Sequence, residues 1–207
     1  PEYEAQYGGT NMDPFTMSIN TARGEAMHAV IDYALWVRRH LDLVPEPGNQ
    51  TAHDFDSMPE VRAVLDEHID THNDPSLAIR SVYGRYFPWL LTLDLQWAAD
   101  HAPMIFPLDD VSAPWLDAAW SAYVCFCPPF DNVLDVLVEW YRRAVRHVLV
   151  PYPDATQWPD EPGARLSEHL MLFYLRGKLP LEEPDGLLRE FYSNAPDRVC
   201  AFASRVI

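Results

Sequence analysis

The stretch that most constrains the fold is residues 74–94, because apolar side chains recur there at spacings of three and four residues. That spacing places side chains on the faces of an α-helix, and here they cover most of its circumference. They are Leu77, Ile79, Val82, Tyr83, Tyr86, Phe87, Leu90 and Leu91. A helix that is apolar on nearly all sides is a buried one, so we predict a central helix with neighbours on both flanks.

Local signals predict where this helix begins and where it is interrupted. Asp74 is a predicted N-cap and Pro75 a predicted first residue, because a carboxylate accepts the orphan amide hydrogens and proline lacks one. Pro88 removes a bond of the helical ladder and clashes with the preceding turn. We therefore expect a kink or a fresh start near Phe87, and a new helix from Asp94.

The same spacing predicts about nine helices along the chain, and no segment alternates as a strand does, so we predict an all-α fold. Helix pairs joined by short turns and separated by longer loops favour stacked αα pairs in an irregular α-solenoid-like arrangement. Residues 1–19 show no sustained period and are expected to be an irregular lead-in. Residues 20–207 are expected to form a single helical-repeat domain, as a fragment of a longer protein.

The helix predicted from Asn20 has an apolar stripe that we expect to face the core. Its members are Ala22, Ala26, Ala29, Val30, Tyr33, Trp36, Val37 and Leu41. Trp36 is accordingly predicted to be a core residue, as are Trp97, Trp120 and Trp140 on other helices. Trp158 lies in a Pro-containing loop and is a better candidate for a contact surface.

Two arginines, Arg80 and Arg85, lie on the otherwise apolar central helix. A buried guanidinium without partners is costly, and its planar fork matches the geometry of a carboxylate. We therefore expect both arginines to pair with carboxylates.

The charge of the chain limits its partners. The formal net charge is −16, with 15 basic and 31 acidic residues. Such a surface repels phosphate backbones, so nucleic acid is not an expected partner, whereas a basic protein partner is. No run of about eighteen apolar residues and no signal peptide is present, so a soluble protein without membrane association is expected. Three cysteines are few and odd in number, which favours free thiols and a cytoplasmic location.

Two phrases of the sequence carry a resemblance. Residues 19–26 read Ile-Asn-Thr-Ala-Arg-Gly-Glu-Ala, and residues 78–84 read Ala-Ile-Arg-Ser-Val-Tyr-Gly. They resemble helical-repeat regions, of the HEAT or tetratricopeptide (TPR) kind, in large bacterial multidomain proteins, some of which look like sensor parts of STAND-type NTPases. The resemblance implies a partner-sensing or scaffolding array attached to an effector elsewhere in the parent protein.

The strongest metal-ligand candidates are His68 and His72, within the acidic and histidine-rich residues 67–74. Two histidines four residues apart on a helix present both imidazoles on one face, which suits zinc. The helix is expected to end near Asp70, however, so the spacing loses this meaning. We favour a polar turn without a metal, and no pattern in the sequence indicates a cofactor.

A second candidate site consists of Arg142 and His147. Their spacing matches the Arg-x4–6-His pattern that HEPN-type ribonucleases, which are also all-α, use to cleave RNA. The pattern is short, and Arg23 with His28 matches it too. Basic residues also suit the C-terminal end of a helix, where they meet the negative end of the dipole. We favour this structural role.

No pattern in the chain names a reaction, since the phosphate-binding glycine loop, the nucleophile elbow and the zinc-protease motif are all missing. We therefore expect a non-catalytic protein-interaction, scaffold or sensor module of a larger bacterial protein, rather than an enzyme. The alternative is an all-α nuclease, either metal-dependent through His68 and His72 or HEPN-like through Arg142 and His147.

Overall fold

The computed structural model describes residues 12–43, 54–147 and 162–205. Within them lie ten α-helices, a short 3-10 turn at Phe55–Ser57 and no β-strand, which confirms the predicted all-α fold. The helices are α1 (Pro14–Ile19), α2 (Ala22–Leu43), α3 (Pro59–Ile69), α4 (Leu77–Leu93), α5 (Leu95–Ile105), α6 (Ala113–Phe126), α7 (Asp131–His147), α8 (Pro162–Leu175), α9 (Leu187–Asn194) and α10 (Asp197–Ala203). No helix of this described part is both long enough and apolar enough to cross a membrane.

The chain divides into two compact units, Pro1–Tyr123 and Val124–Ile207, and each unit is described here by itself. The stacked helix pairs, and the single helical-repeat domain over residues 20–207, stay predictions.

Helix α1 occupies part of the segment expected to be an irregular lead-in. It begins because Asp13 acts as N-cap, with its Oδ1 accepting from the amide of Thr16 at 3.0 Å, and because Pro14 follows at the first helical position. The expectation of an irregular segment is therefore wrong for Pro14–Ile19. Residues 1–11 lie outside the described residues.

Helix α4 is the centre of the first unit, as predicted. It packs against α1, α2 and α5, and most of its side chains are buried, while Arg85, Tyr86 and Trp89 are partly buried and Thr92 is exposed. At Gly84, a Cβ atom would lie only 2.0 Å from the carbonyl oxygen of Ala119, so the backbones of α4 and α6 approach as closely as a glycine allows. This helix is the part of the fold on which its neighbours converge.

Two details of α4 differ from the predictions. Its N-cap is Ser76, whose hydroxyl accepts from the amide of Ile79 at 3.1 Å, so Asp74 is not the capping residue. The helix also runs through Pro88 to Leu93 without a break. A mid-helix proline costs about 3 kcal/mol. The burial of most α4 side chains against neighbouring helices offsets that cost, and this burial does not follow from the local chain.

The core-facing stripe predicted for α2 is wrong. Among residues 22–41 of α2, the buried ones are Gly24, Met27, Ile31 and Ala34. Tyr33 is 44% and Trp36 57% exposed, although both were expected in the core. A Cβ atom at Gly24 would lie 1.9 Å from the carbonyl oxygen of Ser18, so α1 crosses α2 at close range. A close crossing of this kind favours the stripe that contains the glycine.

In the second unit, α7 packs against α9, and α8 packs against α10. Helix α7 bends at Leu137, which has φ −99° and ψ 17°. Tyr141 is fully buried on the inner face of α7, whereas the neighbouring Trp140 is only partly buried. Of the other tryptophans predicted in the core, Trp97 is buried and Trp120 partly so. Trp158 lies outside the described residues.

Candidate functional site

The first candidate is a buried carboxylate, Asp74, in the connection between α3 and α4. Its side chain is 1% exposed. The Oδ2 atom lies 2.6 Å from Nη2 of Arg23 and accepts from Nδ1 of His68 at 2.7 Å, while Oδ1 accepts from the amide of Ser76 at 3.1 Å. These contacts join the start of α2, the end of α3 and the start of α4 at one buried group.

Arg80 lies one turn into α4, and its side chain is also buried. Nη2 donates to the carbonyl oxygen of Ile69 at 2.7 Å, and Nη1 donates to that of Met104 at 2.8 Å. Burial lowers the pKa of this guanidinium from its usual value. Arg80 therefore binds the carbonyl ends of α3 and α5, where the helix dipoles are negative, and not the carboxylates that we expected.

Arg85, the other arginine for which a carboxylate was predicted, stacks on aromatic rings. Its guanidinium carbon lies 5.8 Å from the ring centre of Tyr86 and 5.1 Å from that of Trp89. Both distances are within the range of cation–π attraction.

His68 and His72 do not converge on a common point. Helix α3 ends at Ile69, so the four-residue spacing is not helical. His68 is turned to Asp74, whereas His72 is 93% exposed and its Nδ1 lies 3.1 Å from Oδ1 of Asp70. Across residues 12–43, 54–147 and 162–205, no group of three or more histidine, cysteine or carboxylate side chains is placed to hold a metal ion.

The arrangement of His68 and Asp74 has the geometry of a histidine oriented by a carboxylate, as occurs in catalytic triads. Catalysis would require a nucleophile within hydrogen-bond reach of that histidine. The nearest serine in sequence, Ser76, is buried, and its hydroxyl caps α4. The contacts of Asp74 thus connect three segments of the chain and include no nucleophile.

Arg142 and His147 are both on α7. Nδ1 of His147 donates to the carbonyl oxygen of Arg143 at 2.7 Å, and His147 is exposed at the end of the helix. Nε of Arg142 is buried and has no hydrogen-bond partner in the described part of the chain. No hydrogen bond among those residues joins Arg142 to His147, and their role as a site stays a prediction.

A different histidine, His169, is buried in the second unit. Nε2 lies 2.9 Å from the carbonyl oxygen of Cys127, which can only accept, so Nε2 carries the hydrogen. Nδ1 then accepts from the hydroxyl of Tyr141 at 2.7 Å. Burial lowers the pKa of His169 to about 4. Both ring nitrogens are satisfied, and this group is part of the core.

The feature that sequence reasoning missed is a row of exposed rings on α2, which we call the α2 ladder: Tyr33, Trp36 and His40. The ring centres of Tyr33 and Trp36 are 6.3 Å apart at an interplanar angle of 24°, and those of Trp36 and His40 are 4.6 Å apart at 34°. The hydroxyl of Tyr33 donates to Oε1 of Glu60 on α3 at 3.0 Å. The ladder is therefore held in place by stacking and by a bond to α3.

A second group of rings lies beside α2, where α4 packs on it. Tyr86 donates to Oδ1 of Asp32 at 3.2 Å, and its ring centre lies 5.5 Å from that of His28. Burial raises the pKa of Tyr86 to about 12. The ring centre of Tyr86 lies 5.9 Å from that of Trp89. These contacts fix α2 against α4 and so fix the direction in which the ladder faces.

The signal that could have found the ladder was present in the sequence. The stripe of Gly24, Met27, Ile31 and Ala34 also has spacings of three and four. Its side chains are smaller than those of the stripe that contains Trp36, and the prediction placed the stripe with the larger side chains in the core. A glycine within one of two competing stripes points to a close helix crossing.

Comparisons with known proteins were made by family models, by curated sequences and by solved structures. None of the three searches found a match to this chain.

Proposed function

We propose that this chain is a non-catalytic protein-interaction module that binds a basic partner through the α2 ladder. The observation that carries the proposal is the exposure of Trp36, which is 57% exposed while held between the rings of Tyr33 and His40. Tryptophan and tyrosine are enriched among the residues that dominate protein–protein binding energy. A stacked, preordered row of rings loses little conformational entropy on binding, which favours affinity.

The charge of the chain supports the choice of a basic partner. With a net charge of −16, the molecule attracts cationic proteins and repels nucleic acid and other copies of itself. Glu60 and Asp32 place carboxylates beside the rings, each bonded to a tyrosine hydroxyl. In this proposal the module is the sensor or scaffold part of a larger cytoplasmic protein, with its helices in stacked pairs and its effector elsewhere.

The test is quantitative capture from a cell lysate by the full chain, by Trp36→Ala and by Leu95→Ala as matched control. Leu95 is on α5 in the same unit and is 60% exposed, so its removal tests generic surface hydrophobicity. We expect a captured protein of basic isoelectric point, lost in Trp36→Ala and retained in Leu95→Ala. Its retention falls when salt is raised from about 0.1 M to about 1 M, because the Debye length shortens to about 3 Å.

Two outcomes would contradict the proposal. Equal capture by all three proteins would show that the ladder does not bind. Salt-sensitive retention and cleavage of RNA, abolished by His147→Ala, would instead support the nuclease alternative.

A further inference from the structure

We propose that the turn between α5 and α6 docks a basic amphipathic segment of the partner; this inference rests on the proposed function and adds a second contact surface to it. We call this surface the acidic turn and define it as Met104, Leu108, Asp109, Asp110 and Val111. Val111 is 86% exposed, the highest value among the large apolar side chains that the structure describes, and Met104 and Leu108 are exposed as well. Apolar side chains are thus presented together with two carboxylates.

Hydrogen bonds within the acidic turn support its conformation. Oδ1 of Asp109 accepts from the amide of Ser112 at 2.9 Å, and these hydrogen bonds lower the pKa of Asp109, which keeps it ionised. Helix α6 follows directly, and Nε1 of Trp115 in its first turn donates to the carbonyl oxygen of Pro75 at 3.1 Å. A surface that is ordered before binding loses less entropy on binding than a mobile loop would.

The local charge selects the occupant. No lysine or arginine occurs between Arg85 and Arg142, whereas the part of that stretch in the first unit contains Asp94, Asp100, Asp109, Asp110 and Asp117. Arg80 is buried, and its guanidinium donates to the carbonyl oxygen of Met104. The turn therefore offers negative charge and aliphatic surface together.

A segment that alternates lysine or arginine with aliphatic residues complements both properties. The cations pair with Asp109 and Asp110, while the aliphatic side chains cover Val111 and Leu108, which removes exposed apolar surface from water. An anionic lipid surface or a nucleic acid would meet the same carboxylates with like charge. A second copy of this acidic chain is disfavoured for the same reason.

Fluorescence anisotropy measures the binding of a fluorescein-labelled peptide to the full chain. The peptide is amphipathic and alternates leucine with lysine. The test variant is Asp109→Asn with Asp110→Asn and Val111→Ser. Asparagine at 109 can still accept from Ser112, so the turn is retained. The matched control is Leu181→Ser with Glu182→Gln and Glu183→Gln, an exposed segment of the second unit that loses the same charge and one exposed apolar side chain.

We expect the test variant to weaken peptide binding by about tenfold and the control by less than about twofold, since close charge pairs contribute more than distant ones. Val111→Ser alone, at a side chain too exposed to affect folding, should weaken binding in the same direction. Equal weakening by the test and control variants would overturn the inference, because it would show attraction to net charge only.

The peptide also separates this inference from the proposed function. Trp36→Ala should leave peptide binding unchanged while it abolishes capture of the natural partner. If the acidic-turn variant weakens peptide binding but Trp36→Ala still captures the partner, the proposed role of the ladder is overturned. The inference about the acidic turn is then retained. The reverse pattern would overturn the acidic turn alone.

Discussion

Helices α4 and α2 both carry large aromatic side chains at helical spacing, yet they use them differently. Most side chains of helix α4 are buried, and those of Phe87 and Tyr83 are fully buried. Helix α2 has one buried face of small and medium side chains and exposes Tyr33 and Trp36 on another. Aromatic residues that the core does not use remain available for a partner, so the contrast locates the surface to which we assign function.

The largest loss of stability is expected at Gly84, where the backbone of α4 lies against that of α6. Gly84→Ala places a methyl group against the backbone of α6 and should lower the free energy of unfolding by about 3 kcal/mol, because packed backbones cannot move apart cheaply. Urea denaturation measures it. Gly163→Ala on α8, where a new Cβ meets nothing within 4 Å, is the control. Equal stability of the two variants would show that α4 is not tightly enclosed.

Arg80→Met tests the polar side of the same burial. The change keeps an unbranched side chain about as far as Nε but removes the donors to the carbonyl groups of Ile69 and Met104, which should cost roughly 2 kcal/mol. Arg85→Met, on the outer side of α4, should cost about 1 kcal/mol or less, because the side chain is partly buried and the change removes its cation–π contacts with Tyr86 and Trp89. If thermal or urea unfolding gave similar losses of unfolding free energy for both variants, the distinction between the buried and outer sides of α4 would be wrong.

A smaller effect is expected at the boundary between α2 and α4, where His28 is half-buried. Burial lowers its pKa from the usual value, and Nε2 lies 3.0 Å from the hydroxyl of Ser18. Its contribution to stability is therefore full above about pH 6.5 and is lost as the pH falls below that, because the unfolded chain takes up the proton first.

His28→Gln should flatten the dependence of unfolding free energy on pH between 7 and 5. His169 also has a lowered pKa, about 4, so part of the slope remains in this variant. An unchanged slope would mean that His28 is not desolvated by the packing of α2 on α4.

Trp36→Ala should have the smallest effect on stability, within about 0.5 kcal/mol, because most of the ring is already in water. Ile31→Ala, five residues earlier on the buried face, should cost about 3 kcal/mol. If the two values were exchanged, the predicted stripe would be correct after all and the ladder would be part of the core.

How much of this could be predicted depended on whether the deciding contact was local. The all-α fold, the burial of most of α4 and the new helix that starts at Asp94 all follow from nearby residues, and all three are confirmed. For a helix buried over most of its circumference, such as α4, an error in helical phase has little consequence. For α2, which has one solvent face, an error in phase exchanges the core for the surface.

The candidate site depended on contacts between distant segments, and the sequence alone could not rank them. Asp74 and Ser76 are both good capping residues. Asp74 instead contacts Arg23 and His68 and so connects neighbouring helices. Similarly, the crossing of α1 over Gly24 selects the buried stripe of α2. In both cases a tertiary contact overrides a local preference.

The most direct test of the central claim is site-specific photo-crosslinking inside living cells that naturally make the chain. The photoreactive amino acid p-benzoylphenylalanine replaces Trp36 in one version and Leu95 in the other. The account predicts one discrete adduct with a basic protein at position 36 and none at position 95. An adduct of the same pattern at both positions, or only at position 95, would contradict the assignment of the α2 ladder as the binding surface.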